Sequence, residues 1–255
     1  MARLTIAGED IFYAQRLASG AESSTVFIHG AGGTHRHWGH QLAGLSGSNL
    51  YAPDLPGHGR SGGQARTSIT SYAEFLSDFL EALGSTRATL VGHSMGGAIA
   101  QDFALNHASQ VDRLILVGTG AKLRVLPTIL EGLLSEFESA VDMILGYAYS
   151  KDAPQELVDL GRQESLASTP EVLHGDFMAC DNFDVRDRLT EIRCPTLLIC
   201  GEEDQLTPPK YSQYLQDQIA DTQLTIIPNA GHMVMLEQPE EVSRAIAEFM
   251  KTTST

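Results

Sequence analysis

The stretch ATLVGHSMGGAIA, residues 88–100, decides how this chain folds. Its first four residues are apolar or β-branched, which is typical of a strand buried on both faces of a parallel sheet. The pattern G-x-S-x-G follows at once and leads into a helical segment, so it predicts a sharp strand-to-helix turn that holds Ser94 in a strained conformation. Gly92 and Gly96 leave room for the crowded chain, and the turn lifts the Ser94 hydroxyl to the sheet edge, beside the N-terminus of the helix.

Short β-prone runs alternate with helical patterns on both sides of this stretch. Over residues 72–83, between the run at residues 50–52 and the strand at residues 88–91, apolar residues recur at helical spacing. Ser71 and Glu74 predict a capping box at the start of that helix, and Gly84 predicts its end. The β-prone runs cover residues 3–6, 11–16, 24–28, 50–52, 114–117, 195–200 and 224–227. The alternation predicts an α/β fold with a mostly parallel, doubly wound sheet.

One long region interrupts this alternation. Residues 122–193 carry no strand signal, whereas the apolar residues of positions 129–145 recur at helical spacing. We therefore expect a small helical cap inserted between two core strands, with the core formed by residues 1–121 and 194–255. Such a cap would cover the carboxyl ends of the strands, where open α/β sheets bind ligands. Its apolar side chains are expected to pack on one another and to provide part of a pocket wall.

Composition and charge restrict the possible partners. The chain has 255 residues, of which 42% are hydrophobic, so it can bury a large core without disulfides or metals. Its formal net charge of −15 repels phosphate backbones and anionic membrane surfaces, which argues against a nucleic-acid partner.

The cysteine count and the lack of long apolar segments bear on where the protein is found. The 3 cysteines give no disulfide framework. The first ten residues lack the apolar segment of a signal peptide, and no run reaches the ~18 apolar residues of a membrane span, so we expect a cytoplasmic protein without membrane insertion.

The G-x-S-x-G turn makes Ser94 a candidate nucleophile. A serine nucleophile needs a positioned base, and 9 histidines compete for that role. His232 follows the last predicted strand directly, which suits the chain order serine, acid, histidine. His93 is adjacent to Ser94, but neighbouring residues project differently and cannot be assumed to meet. We therefore predict His232 as the base.

The loop that follows the penultimate strand, residues 201–205, supplies three acids. We predict Asp204 as the carboxylate that orients the histidine, with Glu203 as the alternative; it would fix the imidazole tautomer and stabilise the imidazolium. Asp54 follows an earlier strand and is expected to have a structural role in its Pro/Gly turn.

Five motifs together resemble the α/β-hydrolase superfamily, most closely its small carboxylesterases and monoacylglycerol-lipase-like members. They are residues 29–33 (HGAGG), 55–61 (LPGHGRS), 92–97 (GHSMGG), 201–204 (GEED) with Thr207 and Pro208, and 231–232 (GH) with 237–239 (EQP). The resemblance implies Ser94 as nucleophile, Asp204 as acid and His232 as base. It also implies an oxyanion hole formed by the backbone N–H groups of Ala31 and Met95.

Several other residues allow more than one interpretation. His35, His37 and His40 have metal-like spacing, but their loop contains no cysteine or carboxylate, so we expect no metal and no cofactor. Trp38 either lines the pocket or packs beneath the loop. Arg60 and Arg124 are the candidates that could clamp an anionic substrate.

The sequence therefore predicts a serine hydrolase that cleaves small to medium, mostly uncharged carboxylic esters through an acyl-enzyme. The alternatives are hydrolysis of a C–C bond or an enol lactone by the same residues, or a ligand receptor with slow turnover. Because the family places an aspartate at the nucleophile position in haloalkane dehalogenases and epoxide hydrolases, Ser94 argues against those two activities. The oligomeric state is left open.

Overall fold

The computed structural model describes residues 1–251, whose strands form one eight-stranded sheet. The strands are β1 (Ala2–Ile6), β2 (Glu9–Arg16), β3 (Ser24–Ile28), β4 (Asn49–Pro53), β5 (Ala88–His93), β6 (Val111–Val117), β7 (Thr196–Gly201) and β8 (Thr222–Ile227). They are ordered β1-β2-β4-β3-β5-β6-β7-β8. β1 and β2 pair antiparallel, β2 pairs antiparallel with β4, and all the other pairs are parallel. The predicted α/β fold with a mostly parallel sheet is confirmed.

Helices cover both faces of the sheet. They are α1 (Gly39–Gly44), α2 (Ile69–Ala82), α3 (Met95–Asn106), α4 (Pro127–Ser135), α5 (Phe137–Ala148), α6 (Gln155–Leu166), α7 (Pro170–Asp181), α8 (Pro209–Gln218), α9 (Val234–Glu237) and α10 (Pro239–Lys251). Short 3₁₀ turns span His35–Trp38, Ala108–Gln110 and Arg186–Glu191. The order of elements places a helix between most successive parallel strands, as a doubly wound fold requires.

Side chains alternate between the two faces of the sheet, so the core has two layers. In β3, Val26 and Ile28 pack with α2 and α3, whereas Phe27 points to the opposite face, which carries α1, α9 and α10. This follows from the alternation of successive side chains across a strand. Trp38 is fully buried in the second layer, with its ring 5.3 Å from that of Phe27. Trp38 therefore packs beneath the loop, which decides between the two predicted locations.

Four consecutive helices, α4 to α7, lie between β6 and β7. We refer to residues 122–193 as the inserted region. Its apolar side chains form a small cluster of their own that includes Ile129, Leu133, Val141 and Leu173. An isolated antiparallel bridge between Lys122 and Asp184 lies near the two ends of the region. The division into core and cap stays a prediction, and the helical content agrees with the expected pattern.

The predicted start of α2 is wrong. The helix begins at Ile69, because Ser68 has an extended backbone and its side-chain oxygen accepts the N–H of Ser71. Ser71, predicted as the cap, therefore lies within the first turn. Serine is a preferred capping residue, and of the two serines three residues apart it is Ser68 that caps the helix. None of the helices within residues 1–251 is both long and apolar enough to cross a membrane.

Candidate active site

Ser94 occupies the turn between β5 and α3 in a backbone conformation that non-glycine residues rarely adopt. Its φ is 53° and its ψ is −115°. The surrounding structure holds this conformation: the Ser94 N–H donates to Val117 O at 3.0 Å, and Thr119 Oγ1 donates to Ser94 O at 2.9 Å. Strain of this kind persists only where neighbouring contacts over-determine it, and it concentrates at functional sites.

The two motif glycines allow the turn to form because the chain passes itself closely at both positions. A Cβ atom on Gly92 would lie 2.2 Å from the carbonyl oxygen of Gly96. A Cβ atom on Gly96 would lie 2.2 Å from the carbonyl oxygen of Ile28 in β3. The G-x-S-x-G spacing is therefore a steric requirement for packing the start of α3 against the sheet.

His232 and Asp204 form a buried pair at the carboxyl ends of β7 and β8. His232 Nδ1 lies 2.9 Å from Asp204 Oδ2, and the two side chains are 5% and 0% exposed. Asp204 Oδ2 also accepts Thr207 Oγ1 at 2.8 Å, while Asp204 Oδ1 accepts the backbone N–H groups of Leu206 and Thr207 at 2.9 and 2.8 Å. Because a carboxylate only accepts, it assigns the ring proton to Nδ1 and leaves Nε2 of His232 free to take another proton.

His93 has a role that its sequence position did not suggest. Its Nε2 lies 3.0 Å from the carbonyl oxygen of His232, and the two ring centroids are 4.6 Å apart. Complete burial lowers the pKa of His93 well below its usual value, and the nearby His232 lowers it further. His93 is therefore neutral and donates from Nε2 to the His232 backbone. Although neighbouring side chains project differently, the ring of His93 reaches the predicted base through its main chain.

The loop after β3 brings the predicted oxyanion donor Ala31 close to Ser94. A Cβ atom on Gly30 would lie 3.2 Å from Ser94 Cβ, so the loop passes close to the Ser94 side chain at this point. The Gly33 N–H donates to Gly30 O at 3.0 Å and closes the loop into a turn around Ala31. The other predicted donor, Met95, is the first residue of α3, where N–H groups have no acceptor within the helix. Both predicted donors therefore lie beside Ser94.

A cavity of about 930 Å³ opens over Ser94 and His232. The inserted region provides most of its apolar wall, through Leu123, Val125, Leu126, Ile129, Ile144, Leu145 and Phe177. Arg124 also lines this cavity, whereas Arg60 lies elsewhere, with its guanidinium 4.1 Å from the centre of the Phe12 ring. Of the two arginines considered for an anionic substrate, only Arg124 is near the site.

A carboxylate, Glu164, also lines this cavity. Glu164, on α6, lies 3.5 Å from Arg36 Nη1 and 3.5 Å from His37 Nε2. Burial raises the pKa of Glu164, but the hydrogen bonds and charges of His37 and Arg36 outweigh burial and hold that pKa below its usual value. Glu164 is thus ionised and forms an ion pair with Arg36. This part of the wall carries little net charge.

The three histidines with metal-like spacing contact different partners. His35 Nδ1 lies 2.7 Å from Asp54 Oδ1, as expected for a structural Asp54, whereas His37 faces Glu164. His40 lines the cavity. Across residues 1–251, no group of three or more His, Cys, Asp and Glu side chains is arranged to hold a metal ion.

Comparison with known proteins places the chain in a family. The model of the alpha/beta hydrolase family matches residues 25–245. A solved thermophilic esterase is 38% identical, with a TM-score of 0.87 and coverage of 98% of this chain and 96% of that one. The 2-hydroxy-6-oxo-6-phenylhexa-2,4-dienoate hydrolase of Comamonas testosteroni is 26% identical, covering 91% of this chain and 89% of the relative. The pimeloyl-[acyl-carrier protein] methyl ester esterase of Nitrosospira multiformis is 27% identical, covering 96% and 100%. With a family match over most of its length and the fold described above, the chain belongs to the alpha/beta hydrolase family.

Proposed function

We propose that the protein is a serine hydrolase that cleaves carboxylic esters through an acyl-enzyme. The observation that carries the proposal is the buried contact of 2.9 Å between His232 Nδ1 and Asp204 Oδ2, beside a strained Ser94 that opens into the same cavity. A serine hydroxyl is a weak nucleophile, and a base oriented by a third group is what activates it.

The reaction proceeds in two halves. His232 Nε2 takes the Ser94 proton as Ser94 Oγ attacks the ester carbonyl, and the N–H groups of Ala31 and Met95 stabilise the oxyanion. The C–O bond to the alcohol then breaks, and the alcohol leaves with the proton held by His232. Water attacks the acyl-enzyme with His232 again as the base. The carboxylic acid leaves and Ser94 regains its proton.

The cavity wall favours uncharged substrates of small to medium size. Most of the lining is apolar, and Glu164 is paired with Arg36 and lies 3.5 Å from His37. Away from Arg124, an anionic group would lie in a largely apolar environment, which is costly for a charge without a partner. The thermophilic esterase at 38% identity supports an ester as the substrate.

A second candidate reaction is hydrolysis of a C–C bond in an anionic substrate. The observation that favours it is Arg124, which lines the cavity and could pair with a substrate carboxylate. The name of the dienoate hydrolase relative indicates that its substrate is anionic. Enol-lactone hydrolysis would use the same residues as ester hydrolysis.

Initial rates on two substrate sets test the proposal. We expect p-nitrophenyl esters from acetate to octanoate to be hydrolysed, with a maximum at one chain length set by the cavity. Arg124→Ala is expected to leave these rates nearly unchanged, since the esters carry no carboxylate. Cleavage of a 2-hydroxy-6-oxo-dienoate, lost in Arg124→Ala, without ester hydrolysis would favour the C–C reaction instead. Failure of the folded protein to turn over either set, with a ligand-dependent rise in Tm, would favour the receptor alternative.

A further inference from the structure

Asp176 of α7 is a buried carboxylate that contacts three separate parts of the core. Its Oδ2 accepts the Gly32 N–H at 2.8 Å and lies 2.7 Å from His58 Nε2. Its Oδ1 accepts the Tyr72 hydroxyl at 2.6 Å. The Asp176 residue is 0% exposed. A carboxylate buried to this extent requires such partners, so their arrangement fixes its position closely.

His58 supplies the charge that balances this carboxylate. Burial alone lowers the pKa of His58, but the charge of Asp176 and its hydrogen bond outweigh burial, and the pKa lies above its usual value. The ring also bonds the Pro56 carbonyl through Nδ1 at 3.0 Å. With both ring nitrogens facing acceptors, the imidazolium is the form that suits the site. His58 therefore helps to hold the Asp176 side chain in place.

The Gly32 contact matters because of where it lies in the loop after β3. The Gly30 carbonyl oxygen accepts the Gly33 N–H at 3.0 Å and lies 2.8 Å from His29 Nδ1. Since a peptide unit is planar, these bonds also set the direction of the Ala31 N–H in the same unit. The next peptide unit joins Ala31 to Gly32, and Asp176 holds it through the Gly32 N–H. Both peptide units that flank the Ala31 α-carbon are thus fixed.

α7 also packs directly on this loop. Gly32 has a φ of 63°, and a Cβ atom there would lie 2.2 Å from Leu173 Cδ1, one turn before Asp176 on α7. The inserted region therefore contacts the loop through one apolar side chain and one carboxylate.

We propose that Asp176 is a positioning residue for the oxyanion hole, holding the Ala31 N–H in its productive direction from the inserted region. The proposal rests on the proposed function, since it requires Ala31 to donate to the oxyanion. It gives the inserted region a second role beyond lining the cavity: stabilising the transition state. Loss of this anchor should reduce kcat while KM for a neutral ester changes little, because the oxyanion forms only in the transition state.

Three variants separate positioning from packing. Asp176→Ala removes the acceptor and is expected to lower kcat for a p-nitrophenyl ester by about 10- to 100-fold, less than the loss of a whole donor. Asp176→Asn retains an oxygen that can accept the Gly32 N–H and should recover most of kcat. Tyr72→Phe disturbs the same buried network but leaves the Gly32 contact, so it should lower Tm without lowering kcat. An alkyl trifluoromethyl ketone forms a tetrahedral oxyanion on serine. Its affinity should fall in the variants in which kcat falls and stay unchanged in those in which kcat is retained.

Amide hydrogen exchange of the loop gives a readout that does not depend on activity. We expect residues 30–34 to exchange faster in Asp176→Ala than in the wild type or in Tyr72→Phe. Unchanged exchange would overturn the anchor whether or not esters are hydrolysed. An inactive wild type with the expected exchange would overturn the proposed function, and with it the oxyanion role of Asp176, while the anchor on the loop would stand. Faster exchange with unchanged kcat and inhibitor affinity would overturn the positioning role. Should Asp176→Ala not fold, Asp176→Ser keeps a polar group in the site but is too short for Gly32, and the same outcomes apply.

Discussion

Replacing Ser94 with alanine is expected to lower kcat for p-nitrophenyl ester hydrolysis by about 10⁵-fold, because the step that forms the acyl-enzyme loses its nucleophile. The residual rate would come from the oxyanion hole and from substrate binding alone. The hydrogen bonds that fix the turn use the backbone of Ser94, not its hydroxyl, so the fold should be retained. Initial rates and thermal unfolding of the same sample measure both effects.

Ser165 provides a matched control for this substitution. It lines the same cavity, but its hydroxyl donates to the Gly161 carbonyl oxygen at 2.9 Å within α6. Ser165→Ala should therefore have a small effect on kcat. Comparable losses in the two variants, or retained activity in Ser94→Ala, would contradict the assignment of Ser94 as nucleophile.

Asp204→Asn is expected to lower kcat by about 10⁴-fold at neutral pH. The carboxamide can turn an N–H towards His232 Nδ1, which favours the tautomer with its proton on Nε2, and that tautomer cannot accept the Ser94 proton. Asp204 also accepts bonds from Thr207 and Leu206, so some loss of Tm is expected in addition. The loss of kcat can be separated from the loss of stability, because thermal unfolding shows how much of the variant is folded at the assay temperature.

Glu203→Gln is the control for Asp204→Asn. Glu203 is the adjacent acid and the alternative predicted from sequence, and its backbone N–H donates to Ala230 O at 2.9 Å. Its substitution should leave kcat nearly unchanged. If Glu203→Gln were instead the variant with the large loss of kcat, Glu203 and not Asp204 would be the acid that orients His232.

The parts of the fold and site that the sequence predicts are those that local rules dictate. The turn at Ser94 depends on the close approaches at Gly92 and Gly96, and these are encoded within five residues. The strands follow from short apolar runs, and their parallel arrangement follows from the alternation with helices. Asp204 and His232 could be chosen because each follows a strand at the same edge of the sheet.

Contacts between distant segments could not be predicted in this way. Asp176 is separated by 144 residues from Gly32 and by 118 from His58, and it lies on a helix with no recognisable motif. His93 is 139 residues from the carbonyl it contacts. The signal in the sequence that points to Asp176 is its helical spacing from the apolar residues Leu173, Ala179 and Cys180, which places a carboxylate on the apolar side of α7. Its three partners depend on how the inserted region packs, which periodicity does not determine.

Labelling with diethyl p-nitrophenyl phosphate tests the account most directly, since this ester transfers its phosphoryl group to an activated serine. The account predicts one phosphoryl group per molecule in the intact mass, located on Ser94 by peptide mapping. Ester hydrolysis should be lost in proportion to labelling, and Ser94→Ala should take up no label. Activity that persists in fully labelled protein, or a label that maps to another residue while activity is lost, would contradict Ser94 as the nucleophile.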